Sequence, residues 1–247
     1  MNLVILTAFH HRHALNRIFA LAMNRLRDSF GIQTCVAVTR GDTENIDICK
    51  EHKFHYVEVK NRPVSNKFNL GLSLLPDLAW SHVMILGSDD IPSNRFIEMQ
   101  MGYPDHDVIV TEDMWFWGLN PHGIGFDTFT YLRAGKAMMG AGRCISRRAI
   151  EAVEYKLWPD GINSGLDGNA FRRISDALPD LTMKSNVAWD NEAFIMDVKY
   201  ELHINSLSPI LRLGIPISTE VLWDYLPGDE CKELFELRKQ ILDDQPG

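Results

Sequence analysis

Two adjacent carboxylates, Asp89 and Asp90, follow the apolar run of residues 82–86 through Gly87 and Ser88. Neighbouring carboxylates repel each other unless a cation sits between or beside them. A few hard oxygen ligands suit Mg²⁺ or Mn²⁺, with water and diphosphate oxygens completing the shell. Such an ion would neutralise a diphosphate leaving group as a sugar bond breaks. The competing reading is a pair of loop acids in an Asx-turn before Pro92.

Other residues invite chemistry less directly. In residues 140–148 the glycines allow close approach of a ligand to the backbone, and Gly142 and Arg143 stand together there. Arg143 has the fork geometry for a phosphate, and Ser146 suits a helix cap; the alternative is a tight strand-to-helix turn with surface arginines. Trp115, Phe116 and Trp117 read as an aromatic loop whose faces either stack on sugars and bases or pack in the core. His10, His11 and His13 read as loop or helix-start residues. Adjacent histidines cannot all face one ion, and no acid or cysteine flanks them in sequence.

The elements that must position these groups alternate. Strand-like runs cover residues 3–7, 34–39, 54–59 and 82–86, and helical spacing covers 14–30, 43–52 and 66–75. A further strand is expected at 107–111, with helices over 146–155 and from Asp167 onward. Strand–helix alternation implies an α/β fold with a mostly parallel central sheet and helices on both faces. Ligands in such sheets bind beyond the carboxyl ends of the strands, where Asp42 and Asp89–Asp90 lie. No domain boundary is apparent. The reading is a single domain over 1–247, with a nucleotide-binding half to about residue 105 and an acceptor half from about residue 106.

The stretch Ile85-Leu86-Gly87-Ser88-Asp89-Asp90 resembles the D-x-D segment of GT-A glycosyltransferases in its S/T-D-D variant. Asn66 to Leu72 is similar to the helix start upstream of that motif in family 2-like enzymes, and the likeness covers about residues 3–100. The resemblance implies that Thr7, Ala8 and Phe9 contact the nucleobase and ribose, that Asp42 accepts from the base, and that Lys67 meets a phosphate. Asn69 would hold the same helix start. Asp90 and Asp89 would hold the metal, with Asp90 favoured because Ser88 replaces the usual first acid. Gly142 and Arg143 would line the sugar pocket. Asp167 would be the general base of an inverting enzyme, with a helix N-cap as its competing role. His203 would complete the metal shell, or be an ordinary structural histidine.

The chain has 247 residues, and its net charge of -8 argues against non-specific binding to nucleic acid or anionic membranes. Residues 130–175 nevertheless carry +4. An anion therefore meets the middle of the chain, or a solvated helix face lies there. The four cysteines form no C-x-x-C, and no apolar stretch is long enough for a membrane span, so the reading is cytoplasmic. The function implied is metal-dependent sugar transfer from an NDP-sugar, with a UDP-sugar favoured, to an acceptor hydroxyl. The acceptor is open. A polyanion is allowed, including a hydroxymethylated base in DNA as in some phage enzymes. The alternatives are a nucleotidyltransferase, disfavoured by a glycine-free loop after the first strand, and a non-catalytic nucleotide-binding module.

Overall fold

The computed structural model describes residues 1–118, 128–133, 140–199 and 214–243. Its first part alternates as the hydrophobic pattern dictates. β1 (Leu3–Phe9), α1 (His13–Phe30), β2 (Gln33–Thr39), α2 (Thr43–Glu51), β3 (His55–Val59) and α3 (Val64–Leu72) lead to β4 (His82–Ile85). β5 (Asp90–Pro92), α4 (Asn94–Met101), β6 (Val108–Thr111), β7 (Asp113–Gly118), β8 (Thr128–Arg133) and β9 (Arg143–Ser146) follow. Then come α5 (Arg147–Ala152), α6 (Leu166–Ala177), β10 (Met183–Asn186), β11 (Ile195–Lys199), β12 (Ile215–Pro216), α7 (Leu222–Tyr225) and α8 (Gly228–Asp243).

One sheet has seven strands in the order β3-β2-β1-β4-β9-β6-β10. Every neighbouring pair is parallel except those of β9, which runs antiparallel to β4 and β6. Successive side chains of β1 enter opposite cores. Ile5 and Phe9 pack with α1 and α2 residues such as Phe19 and Ile48. Val4 and Leu6 pack with Leu72 of α3, Ile150 of α5 and Ile174 of α6. Helices therefore cover both faces. α8 closes the first core with Cys231, Leu234 and Leu237, and its Glu230 pairs with Arg25 of α1 at 2.6 Å.

A second sheet, β12-β8-β7-β11-β5, was not legible in the sequence. It corrects the aromatic loop: Trp115, Phe116 and Trp117 lie inside β7, and both tryptophans are at most 1% exposed. Their rings pack on Tyr131, Phe194 and Phe235 and offer no face to a sugar. The first strand also runs two residues beyond its expected end, because Ala8 and Phe9 continue the ladder opposite Ala37 and Val38. The helix expected over 146–155 stops at Ala152, where Glu154 and Tyr155 turn left-handed.

Candidate active site

The acidic pair lies where β4 leaves the sheet. The Leu86 N–H still donates to the Leu6 carbonyl at 3.0 Å, then the chain turns, with the Asp90 N–H donating to the Gly87 carbonyl at 3.2 Å. The Gly87 N–H returns a hydrogen bond to the Asp90 carboxylate. That turn launches β5, which pairs antiparallel with β11 so that Asp90 stands opposite Asp197. The Val198 N–H donates to the Asp89 carbonyl at 2.8 Å, which fixes the two segments in register.

Three carboxylates thus converge, with oxygens of Asp89, Asp90 and Asp197 within 4.8 Å of one another. Burial, then the charges of Asp197 and Asp89, hold Asp90 well above the usual carboxylate range. Burial and Asp89 push Asp197 up to about 7, against the pull of Lys199 and Arg12. Lys199 is ion-paired to Asp197, and its own pKa is raised: burial would lower it, but Asp197, Asp89 and Asp90 prevail. On the other side Arg12 donates from Nη1 to Asp89 at 2.8 Å and from Nη2 to Ser88 at 3.0 Å. His11 and Arg12 both adopt left-handed backbone with φ of 48°. This costs about 1–2 kcal/mol per residue and aims the guanidinium at the acidic turn.

The donor set fits Mg²⁺ or Mn²⁺. It consists of hard carboxylate oxygens, and Asp197 Oδ1 is buried without a hydrogen-bond partner among the described residues. A buried carboxylate oxygen left unpaired in a cluster of three acids is costly unless a cation takes it.

Above the acids opens a cleft of about 320 Å³. Phe68 and Trp158 form its apolar wall, their rings 5.4 Å apart, and Asp167 stands at its rim. Trp158 is locked from three sides. Asn69 donates from Nδ2 to its carbonyl at 2.8 Å and accepts its N–H at 3.1 Å, while the indole N–H donates to the Leu166 carbonyl. Asn69 therefore holds the 158 segment to α3, beyond the local helix-start role expected of it.

Asp167 is the second residue of α6, and the N-cap position belongs to Gly165. The N-cap role is thereby corrected, and the carboxylate is 66% exposed toward the cleft mouth. Gly140 lies against it, and a side chain there would push the exposed Asp167 carboxylate aside. Arg143 is buried under this corner. Its Nη1 donates to the Asp167 carbonyl at 3.2 Å and its Nη2 lies 3.7 Å from the carboxylate. It braces α6 and is turned away from any phosphate role.

Several implied contacts are relocated. Thr7 and Phe9 have fully buried side chains, and the Phe9 ring meets Phe19 edge-on, so neither side chain reaches a nucleobase; Ala8 is half-buried. Lys67 is 3% exposed and donates to the Phe9 carbonyl at 2.6 Å, Thr39 Oγ1 at 2.7 Å and Asn61 at 3.3 Å. It knits the ends of β1 and β2 together, and burial lowers its pKa to about 8. Asp42 caps α2 and accepts from the His11 N–H and from the side chains of His13 and Asn45. Burial would raise its pKa, but these bonds bring it to about 2. The cradle below Gly142, at φ 73°, is filled by Phe96 and Ile195, so its missing side chain serves packing and not a ligand. His203 lies outside the described residues.

Arg12, Lys199 and Trp158 were missed from sequence. A signal existed: from Met196 to Lys199 apolar and charged residues alternate, which puts Asp197 and Lys199 on one face of a strand.

The sequence matches no family model and no curated protein. Solved structures share the fold. Residues 1–349 of TarS from S. aureus superpose with a TM-score of 0.57 at 10% identity, over 80% of this chain and 60% of that one. The chain thus spans less than two thirds of that protein's length. The inositol-1-phosphate CTP transferase of T. maritima gives 0.51 at 10% identity, over 100% and 98% of the two chains. The 4-diphosphocytidyl-2C-methyl-D-erythritol synthase of Anaerococcus prevotii gives 0.50 at 11%, over 97% and 95%. The fold is GT-A-like, with a mostly parallel sheet between two helical layers. Among the described residues no helix is long and apolar enough to cross a membrane.

Proposed function

We propose that the chain is a metal-dependent glycosyltransferase that moves a sugar from a nucleoside diphosphate sugar, UDP-sugars first, to an acceptor hydroxyl. The observation that carries this reading is the convergence of Asp89, Asp90 and Asp197 at the carboxyl end of β4, with one Asp197 oxygen buried and unpartnered among the described residues. Asp90, Asp89 and Asp197 would hold Mg²⁺ or Mn²⁺, and the bound ion supplies the positive charge that a departing diphosphate needs. Arg12 orients Asp89 through their 2.8 Å ion pair. Trp158 and Phe68 exclude water from one wall of the cleft. Asp167, braced from below by Arg143, takes the proton of the acceptor hydroxyl as it attacks.

Nucleotidyl transfer is disfavoured by the loop after β1. It runs His10-His11-Arg12-His13 into α1 without a glycine to fold around a triphosphate. In the basic segment, residues 130–175, Arg143, Arg147, Arg148 and Lys156 pair with acidic side chains, which leaves Arg133, Arg172 and Arg173 among the described residues to meet a polyanionic acceptor such as DNA.

The test is product analysis with a panel of NDP-sugars and Mn²⁺, beside parallel reactions of nucleoside triphosphates with sugar phosphates. Release of NDP from an NDP-sugar, abolished in Asp90→Asn, supports the reading. Pyrophosphate release from the triphosphate reactions alone overturns it.

A further inference from the structure

We propose that His10, His11 and Asp42 form a second cation site, separate from the three-aspartate centre, that takes a transition ion such as zinc or cobalt. The sequence shows no acid beside these histidines; the fold supplies one. His10 follows β1 and Asp42 follows β2, and the two strands are parallel neighbours, so their carboxyl ends meet. One ligand atom from each of the three residues lies within 4.8 Å of the other two.

The left-handed backbone at His11 brings consecutive imidazoles together, with ring centroids 4.0 Å apart. An extended chain would send them to opposite sides. His10 Nδ1 sits 3.2 Å from Thr39 Oγ1, which fixes the ring; among the described residues no hydrogen bond involves the other nitrogen.

Asp42 retains capacity for an ion. Its Oδ2 accepts from the His11 N–H at 3.0 Å and Asn45 Nδ2 at 2.8 Å. Its Oδ1 meets His13 Nε2 at 2.9 Å, and beyond that only a long 3.5 Å contact from the Asn45 N–H. His13, whose other nitrogen lies 3.1 Å from Glu44, props the carboxylate from behind as an outer-shell partner does. Two imidazoles and one carboxylate favour zinc or cobalt over magnesium, and three protein ligands leave a fourth tetrahedral position open. This site does not depend on the reaction proposed above.

The test uses the whole chain without nucleotide and Co²⁺ as probe, read by visible absorption and calorimetry. The expected result is a Co²⁺ complex that persists in Asp90→Asn and whose affinity falls about tenfold or more in His10→Ala and in His11→Ala. His11 is exposed, so its replacement leaves the core intact, which a melting curve checks. Absence of Co²⁺ binding, or binding lost in Asp90→Asn and unchanged in the histidine variants, overturns the proposal.

Discussion

Asp90 and Asp197 stand opposite each other across the β5–β11 pair, a buried and a half-buried carboxylate in register on antiparallel strands. Like charges opposite one another destabilise a sheet, so this pairing weakens the metal-free fold. Asp90→Asn keeps an oxygen for the Gly87 N–H and removes one of the carboxyl groups whose ionisation the cluster opposes. Without divalent ions its melting temperature should equal or exceed that of the wild type, by up to about 4 °C. The stabilisation that Mn²⁺ gives the wild type should vanish in this variant. A melting temperature well below wild type in chelator would contradict the repulsion argument.

Gly142 predicts a packing defect. At φ 73°, an added Cβ would sit 2.7 Å from Phe96 and 2.9 Å from Ile195. Gly142→Ala should lose about 1–3 kcal/mol in urea unfolding. A variant as stable as wild type would show that this corner is looser than described.

Asn69 predicts a coupling between stability and the cleft. Asn69→Ala leaves the Trp158 N–H and carbonyl without their partner, which should cost about 1–3 kcal/mol. It should also weaken acceptor use more than UDP binding, because Trp158 walls the cleft above the acids. Equal losses in both would place Trp158 outside the acceptor side.

Asp107 predicts a pH signature remote from the site. Burial would raise its pKa, but Arg148, Thr182 and Ser146 hold it well below the usual carboxylate range. A depressed folded pKa stabilises above the unfolded value near about 4, and the gain is lost as pH falls through the folded value. Asp107→Asn should therefore melt at least about 2 °C below wild type at pH 7, with the gap closing below about pH 4. A gap independent of pH would refute the ionised role.

The sequence carried the first half of the fold because each element there declares itself locally. The apolar run ending at Leu86 and the glycine after it announce a strand tip, which made Asp89 and Asp90 visible. Asp197 could not be paired with Asp90 in advance. The link runs through β5, a three-residue strand too short to leave a pattern, to a strand from the far end of the chain. Phe9 misled because a strand continuing into the core and a loop reaching a ligand look alike over two residues. Trp115 to Trp117 misled because a strand buried on both faces shows no alternation. Asp42 shows the converse: its neighbours in space, His11 and His13, are set by the β1–β2 crossover and by no spacing in the chain.

The most direct test of the central claim is calorimetric titration of UDP into wild type and Asp197→Asn, each with Mn²⁺ and with chelator. The account predicts binding to the wild type that requires Mn²⁺, with that requirement and the associated affinity lost in Asp197→Asn. Equal UDP affinity with and without Mn²⁺ in the wild type, or a variant indistinguishable from it, would contradict a metal held by Asp89, Asp90 and Asp197.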